Sequence, residues 1–309
     1  MINIVKNRRW YYLISLLVII PGLISLIFFG LRLSIDFTGG SRIAYRFSEK
    51  VNNRIISDIR SIYAQEKITI ATLQPANNEV FLRTTPINEK QNTVLLNKLK
   101  SKNPNIKQES FETIGPTIGA ETTRKAFVSV IISSVLILFY IAISFRKVPK
   151  PTSSWRFGIT TIIALLHDVL VLVGIFSILG HFLHVEIDSL FITALLTVMG
   201  FSVHDTVVVF DRIKENLEKS GSLSFGKVVN ESILQTFVRS LNTSLTAFLV
   251  LFTLLLFGGE SIRWFILALI IGIASGTFSS IFNAAPLLVT WHEWLENKNK
   301  EQFNVRNNK

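Results

Sequence analysis

Residues 189–210 read SLFITALLTVMGFSVHDTVVVF, and within these 22 positions Asp205 is the single formally charged residue. A helix that crosses a membrane needs about 20 mainly apolar residues, because the hydrocarbon layer is about 30 Å thick and each helical residue rises about 1.5 Å. This stretch therefore predicts a membrane-spanning helix that carries a carboxyl group inside the bilayer.

Five further stretches of the chain have similar length and apolar character. Only one of them contains a formal charge, which is Asp168. Buried helices of a soluble protein could account for one such run but not for six. The sequence predicts an α-helical polytopic membrane protein with six transmembrane helices, the other five at residues 10–31, 126–145, 157–185, 240–259 and 264–291.

The charged residues, 17% of the chain, are concentrated in one segment. Residues 31–125 hold 24 of the 53 Asp, Glu, Lys and Arg residues, which leaves 29 for the other 214 positions. The chain has no Cys, which excludes disulfides, metal thiolates and thiol nucleophiles. The net charge of +11 does not require a nucleic-acid partner, because much of the excess lies beside apolar stretches, where it determines membrane orientation.

Orientation follows from the short-loop cations, since Lys and Arg are retained on the cytoplasmic side. With a cytoplasmic N-terminus, 16 of these cations lie inside and only Arg263 lies in the short outer loops. We expect a plasma-membrane protein with a cytoplasmic N-terminus and first helix at 1–32, helices two to six at 125–292, a helical cytoplasmic loop at about 211–233, and a cytoplasmic tail at 293–309. The 16 cations are Lys6, Arg8, Arg9, Arg146, Lys147, Lys150, Arg156, Arg212, Lys214, Lys219, Lys227, Arg239, Lys298, Lys300, Arg306 and Lys309.

Residues 33–124 are expected to form a folded domain on the outer side of the membrane. Their apolar residues alternate in four short stretches and recur at helical spacing in two longer ones. The resulting order, β-α-β-β-α-β, is that of the ferredoxin-like split motif. The predicted elements are strand 41–47, helix 51–67, strand 68–73, a turn at 75–78, strand 80–83, helix 88–102 and strand 106–114.

Ionisable side chains within the predicted spans are the candidate functional residues. Each costs about 2.5–3.5 kcal/mol on insertion scales, so it needs a partner or a water-filled cavity. Antiparallel fourth and fifth helices would bring Asp205 and Arg239 to similar depth, which suggests a proton or ion relay. Asp168 is a further candidate, and the supporting polar residues are His204, Ser202 and Asn242.

The alternative interpretation is that these polar groups only join helices, as Ser, Thr, Asn and His often do in membranes. A small-xxx-small pattern, Gly272, Gly276 and Ser280, is more typical of close helix packing than of ligand binding. His181 and His184 could bind a metal ion, but their surroundings are more typical of an exposed polar loop, which is the interpretation that we prefer. No phosphate-binding Gly-rich loop and no nucleophile–base pair is visible, so we expect no enzyme, no catalytic residues, no metal and no cofactor.

Several motifs resemble the SecF family of bacterial protein-export membrane proteins, over nearly the whole chain. SIDFTGG at 34–40 follows the first predicted span and Gly115-Pro116 precedes the second. The most specific stretch is GFSVHDTVVVFDRI at 200–213. The remaining matches are LHDV at 166–169, RSLNTS at 239–244 and LFGG at 256–259.

The resemblance implies one six-helix half of a resistance-nodulation-division (RND) type unit, with a SecD-like subunit as the other half. It also implies that proton-motive force, rather than a nucleotide, helps to draw exported polypeptide through the SecYEG channel across the lipid membrane. In this family the residues matching Asp205 and Arg239 belong to the proton path, with the one matching Thr243 close by. His204 stands where many relatives carry Asn.

Two competing functional classes remain open at this point. One is a stand-alone half-size RND-type transporter of lipids or small amphiphiles, which would need a large apolar pocket among its outer loops. The other is a non-transporting membrane anchor, which has no use for Asp168 and Asp205.

Gly39-Gly40 is expected to form a turn with positive φ, and Asp36 to act as a local cap.

Overall fold

A computed structural model describes residues 3–146, 148–149, 152–219 and 223–307. Three of the cations used for the predicted orientation, Lys147, Lys150 and Lys309, lie outside the described residues. The interval at 211–233 also includes positions 220–222, which are outside them.

The chain divides into two compact units, Leu33–Val128, here called the small domain, and Met1–Arg32 with Ser129–Lys309, here called the helical unit. In chain order the elements are α1 (Arg8–Phe29), α2 (Ile35–Thr38), β1 (Gly40–Arg46), α3 (Asn53–Gln65), β2 (Ile70–Ala76), β3 (Glu79–Thr84), α4 (Glu89–Lys102), β4 (Lys107–Ile114), α5 (Pro116–Ser144), α6 (Ser154–Leu183), α7 (Ser189–Lys219), α8 (Phe225–Phe257), α9 (Arg263–Ser279), a π-helical turn (Ser280–Ala284) and α10 (Ala285–Asn307).

The described residues contain six helical stretches long and apolar enough to cross a membrane, which confirms the predicted number. They are α1, α5, α6, α7, α8 and the run from α9 into α10. Four helices extend well beyond their predicted apolar stretches, namely α5, α7, α8 and α10, and α10 continues to Asn307 within the predicted tail. α5 begins at Pro116, since Pro is favoured in the first helical turn. The predicted loop between the fourth and fifth spans is helical, as the end of α7 and the beginning of α8.

Small residues allow close contact between helices of this unit. A Cβ at Gly22 of α1 would lie 2.8 Å from the Gly174 Cα of α6. A Cβ at Gly272 of α9 would lie 2.2 Å from a methyl group of Val198 on α7. Because only glycine permits these approaches, the small-xxx-small pattern acts in helix packing, as predicted.

The six helices differ in how much of their surface the chain itself covers. Half of the most apolar 18-residue stretch is buried within the structure in α6 and in α7, against 6% of the corresponding stretch in α5 and 11% in α8. Apolar side chains on the outer helices are largely exposed, with Leu17 of α1 at 67%, Phe139 of α5 at 59% and Leu249 of α8 at 62%. The interior of this unit is therefore formed by α6, α7 and α9.

The small domain has the ferredoxin-like architecture that the sequence predicted. Its antiparallel sheet has the strand order β2-β3-β1-β4. Alternate residues of the central strands, such as Ile43 and Leu82, pack against Ile59 of α3 and Leu95 of α4. Since successive strand residues point to opposite faces, one face of the sheet is covered by both helices.

The turn before β1 has the expected backbone conformation but a different cap. Gly39 and Gly40 have φ of +69° and +121°, and a Cβ at Gly40 would lie 2.7 Å from the Thr84 carbonyl oxygen. The expectation that Asp36 caps the chain here is wrong. Ser34 is the N-cap of α2, and its hydroxyl accepts a hydrogen bond from the Asp36 backbone N–H at 3.1 Å. A Ser one position before the helix satisfies an otherwise unpaired amide.

Candidate functional site

Asp168 of α6 is fully buried, at 0% exposure, and lies at the centre of a polar cluster. Its carboxylate accepts hydrogen bonds from three serine hydroxyls and faces one histidine nitrogen. The three donors are Ser202 Oγ at 2.5 Å, Ser275 Oγ at 2.7 Å and Ser279 Oγ at 2.8 Å, and His167 Nδ1 lies 3.0 Å from the carboxylate. These bonds compensate the carboxylate for lost hydration and connect α6 to α7 and α9.

His167 extends this cluster towards the first helix. Its Nε2 lies 3.0 Å from the Ser15 hydroxyl of α1, and the Asn283 side-chain amide donates to the same hydroxyl at 2.7 Å. Asn283 belongs to the π-helical turn. Such turns occur frequently at functional sites, because the extra residue breaks the regular hydrogen-bond ladder. One polar network therefore reaches from α1 to the last helical stretch.

Asp205 of α7 is also buried, with 2% of its surface exposed. Its carboxylate accepts a hydrogen bond of 3.2 Å from the Thr277 hydroxyl of α9. The Thr277 hydroxyl in turn lies 2.6 Å from that of Ser244 on α8. Ser202, Asp205 and Thr206 share the buried face of α7.

The structure does not bring Arg239 to Asp205. Among the residues that it describes, no ion pair joins the two, and Arg239 lies on an exposed face of α8. Thr243 is partly buried, and its hydroxyl donates to the Arg239 carbonyl oxygen at 3.0 Å. The packed face of α8 instead contains Ser240 and Ser244, each one residue further along. One residue turns a helix by about 100°, so Arg239, Asn242 and Thr246 face away from α9.

Both α7 and α8 thus present polar groups on surfaces that this chain leaves uncovered. On α8 the exposed polar residues from Arg239 onwards are Arg239, Asn242, Thr246 and Thr253. On α7 the exposed stripe consists of Thr193, Thr197, Gly200 and His204. Polar side chains are costly against lipid, so these faces suit a protein or water-filled surface better than a hydrocarbon one.

Sequence reasoning missed the hydroxyl partners of the two carboxylates. Ser275, Thr277 and Ser279 are spaced by two within an apolar run, so at about 100° per residue Thr277 lies nearly opposite the other two on α9. Three hydroxyl residues so close together in a predicted span are a signal of this kind of pairing. Ser15, in the first span, has no comparable signal in the sequence.

His181 and His184 both contact neighbouring side chains of the helical unit. The His181 ring stacks on Phe29 with ring centres 3.7 Å apart, and His184 Nδ1 lies 2.6 Å from an Arg32 guanidinium nitrogen. His181 belongs to the last turn of α6 rather than to a loop. Within the described part of the chain, no group of three or more His, Asp or Glu side chains could hold a metal ion.

The fold and the buried carboxylates define a class of protein. It is a helical polytopic membrane protein of the RND type, with a ferredoxin-like domain between its first two long helices. Two family models make the assignment specific. The protein export membrane protein SecD/SecF C-terminal model matches residues 94–294, and the SecD/SecF GG motif model matches residues 24–51. The chain belongs to the SecD/SecF family of protein-export membrane proteins.

Curated relatives are similar to the chain over almost its full length. The protein translocase subunit SecF of Thermobaculum terrenum is 49% identical over 304 residues, covering 94% of each chain. The corresponding subunit of Anaerolinea thermophila is 41% identical, covering 95% of this chain and 96% of the relative. The protein translocase subunit SecDF of Bacillus subtilis is 32% identical, and the match covers 93% of this chain but 37% of that longer protein.

Solved structures show the same relation. The crystal structure of SecDF from Thermus thermophilus, described as a translocon-associated membrane protein, matches with a TM-score of 0.79 and 32% identity. The match covers 94% of this chain and 39% of that one. SecDF in a super-membrane-facing form matches with a TM-score of 0.68 over 99% of this chain and 40% of the other. The chain thus spans about two fifths of the SecDF structures that it resembles.

Proposed function

We propose that this chain is a SecF-type translocase subunit that acts with a SecD-like subunit and uses proton-motive force to promote polypeptide export. Asp205 takes up and releases the proton, and Arg239, Thr243 and Asp168 belong to the same pathway, with His204, Asn242 and Ser202 as supporting groups. The SecYEG channel delivers the exported polypeptide. The energy comes from the proton gradient, without a nucleotide or a metal.

The observation that carries this proposal is the position of Asp205. Its carboxyl group is buried beside one hydroxyl donor, while a guanidinium lies on an uncovered face of the neighbouring helix. Burial favours the neutral form of a carboxyl group, and a cation within about 4–6 Å favours the ionised form. A rearrangement of α7 and α8 that changes the separation of Asp205 and Arg239 would therefore change the protonation of Asp205.

The exposed polar faces support a partner of the same architecture. Six helices leave the polar residues of α7 and α8 uncovered, and transporters commonly close such a surface by pairing two pseudo-symmetric repeats around a midplane site. In the SecDF relatives the matching region is part of a chain more than twice as long. A SecD-like subunit would supply the missing half in this protein.

The proposed location is the bacterial plasma membrane, in contact with its lipids. Both termini lie in the cytoplasm and the small domain lies outside, because 16 of the 17 short-segment cations then fall on the cytoplasmic side. In this arrangement a proton moving through the helical unit is coupled to movement of the small domain, which handles the emerging polypeptide. The names of the relatives, protein translocase subunits, support a polypeptide as the substrate.

Asp205→Asn tests the proposal, because it keeps the size and much of the hydrogen bonding of Asp205 but removes its titrating group. We expect normal accumulation and normal co-purification with the SecD-like subunit, together with loss of proton-gradient-dependent export. All three quantities are measured in one strain. Asp188→Asn is the matched control. The Asp188 carboxylate accepts a hydrogen bond from the Phe191 backbone N–H in the first turn of α7, and an Asn side chain retains this capping role. Normal export by a well-assembled Asp205→Asn protein would exclude the relay.

A further inference from the structure

A large open cavity lies at the end of the helical unit where the chain begins. Its volume is about 1020 Å³, and its walls come from the segment before α1, the first turns of α8 and Glu293 of α10. The segment is held in place by Asn230 of α8, whose side-chain oxygen accepts hydrogen bonds from the backbone N–H groups of Ile4 at 2.8 Å and Val5 at 3.3 Å. Ile4 and Val5 are buried, so the cavity wall is a packed part of the fold.

The walls of the cavity carry an excess of positive charge. Arg8 forms an ion pair with Glu293, and the two charges compensate each other. The remaining cations are Lys6, Arg9 and Lys227, and the remaining carboxylate is Glu231. Among the described residues, none of these three cations forms an ion pair with a carboxylate. Three uncompensated cations facing one carboxylate favour an anionic ligand.

The beginning of α8 adds to this positive potential. Ser224 and Gly226 line the cavity, and the first turn of a helix carries a partial positive charge from its unpaired N–H groups. The Ser224 side chain makes no capping bond to the helix within the described structure. Phosphate groups bind readily at such a position, because N–H groups and the helix dipole both favour an anion.

The residues beside the cavity indicate that a phosphate group bound there would belong to a lipid. Trp10 directly follows the cavity residue Arg9 and is 68% exposed, and Trp294 directly follows Glu293 and is 58% exposed. Exposed tryptophans at the ends of membrane helices lie at the level of the lipid headgroups. Leu234 of the cavity wall offers apolar surface beside the cations, as an amphiphile requires.

We infer that this cavity binds the phosphate headgroup of an anionic phospholipid, with Lys6, Arg9 and Lys227 as the recognising side chains. Basic pockets between membrane helices bind such headgroups, and the cytoplasmic leaflet is rich in them. The lipid would tie the segment before α1 to α8, the helix that carries Arg239. The inference does not depend on proton use by the protein.

The test uses the purified full chain in detergent, with bound lipids counted by native mass spectrometry after addition of phosphatidylglycerol or phosphatidylcholine. The wild-type chain retains phosphatidylglycerol in preference. The triple variant Lys6→Gln, Arg9→Gln, Lys227→Gln loses on the order of a hundredfold in affinity, because each basic residue near an anionic lipid surface contributes about fivefold. Equal retention of the two lipids by the wild-type chain would overturn the inference.

The matched control removes three cations from the same end of the helical unit but outside the cavity, as Arg146→Gln, Lys214→Gln, Lys300→Gln. We expect the affinity of this control variant for phosphatidylglycerol to be unchanged. A loss of affinity equal to that of the cavity variant would show a general effect of surface charge and would contradict a specific lipid site in the cavity.

Glu231→Gln removes the opposing carboxylate and should tighten binding by about fivefold. This gain could not come from misfolding. A second experiment adds inorganic phosphate as a competitor. If it displaces phosphatidylglycerol at equal concentration, the cavity is a free-phosphate site and the lipid assignment fails.

Discussion

Ser202 of α7 donates a hydrogen bond of 2.5 Å to the Asp168 carboxylate of α6, and Asp205 follows on α7 less than one turn later. The two buried carboxyl groups are therefore not independent sites. A displacement of α7 that moves Asp205 also changes the hydrogen bonding of Asp168. This coupling requires no contact between the carboxyl groups themselves, because one rigid helix carries both the donor and the second acid.

Ser202→Ala should destabilise the helical unit by about 1–2 kcal/mol, because it removes one of the buried donors to Asp168. The measurement is thermal unfolding of the full chain in detergent. Ser134→Ala on α5 is the control, since that hydroxyl donates only to the Val130 carbonyl oxygen of its own helix and its loss should cost less than about 0.5 kcal/mol. Equal effects of the two substitutions would show that the Asp168 cluster adds no stability.

Gly272→Ala should push α9 away from α7, because its Cβ would meet three atoms of the Val198 side chain within 2.9 Å. Overpacking of this kind costs about 1–3 kcal/mol. The double variant Gly272→Ala, Val198→Ala should recover much of the loss in the same unfolding assay. Gly158→Ala is the control, since a Cβ there meets nothing within 4 Å. Failure of the second substitution to rescue the first would mean that the contact does not determine the cost.

Arg239→Ala should leave the thermal stability of the isolated chain unchanged, because the side chain is exposed there. Co-purification with the SecD-like subunit and proton-driven export should both fall. Arg239→Lys should be intermediate in export, since Lys keeps a positive charge but lacks the planar donor fork of Arg. A loss of stability in the isolated chain, equal to the loss of export, would instead assign Arg239 to the folding of this subunit.

The small domain should lose stability in strongly alkaline solution. Burial raises the pKa of Tyr45 to about 12 and raises that of Tyr63, whose hydroxyl lies 3.0 Å from that of Tyr45. An exposed tyrosine ionises near pH 10. The folded state therefore holds these protons more tightly, and the stability that they contribute is complete below about pH 10 and is lost as the pH rises through about 12.

Tyrosinate absorbance of the intact protein measures this effect, by comparison with the denatured chain. Two of the five tyrosines should remain neutral up to about pH 12 in the folded protein. Tyr45→Phe should leave one such tyrosine and reduce the alkaline loss of stability. Full ionisation of all five near pH 10, with the fold intact, would contradict the burial of the pair.

The proposed orientation is tested by cysteine labelling, which suits a chain without native Cys. Ala76→Cys, at an exposed position of the small domain, should react with an impermeant reagent added to intact cells. Leu223→Cys, exposed before α8, should react only after permeabilisation. The reverse pattern would invert the topology and with it the direction of the proposed proton movement.

The number of membrane helices could be predicted because each apolar stretch has the length of a bilayer. The order of elements in the small domain could be predicted because Ile43 and Leu82 follow the period of a strand and Ile55, Ile59 and Ile62 that of a helix. The extension of α5 back to Pro116 and of α10 to Asn307 could not, since these polar turns follow no such pattern. The assignment of Asp36 as a cap failed because α2 begins at Ile35, which makes Ser34 the N-cap and places Asp36 inside the first turn.

For the candidate site, the sequence alone determined that Asp168 and Asp205 lie within membrane helices, because a single charge in an apolar run is visible without any partner. The tertiary structure alone decided which groups meet them. Three hydroxyls of α9 lie against the two acids, whereas Arg239, predicted at similar depth to Asp205, lies on another face of α8. The physical reason is rotational. Depth follows from residue count at a rise of about 1.5 Å, but the direction of a side chain changes by about 100° per residue and depends on which face packs.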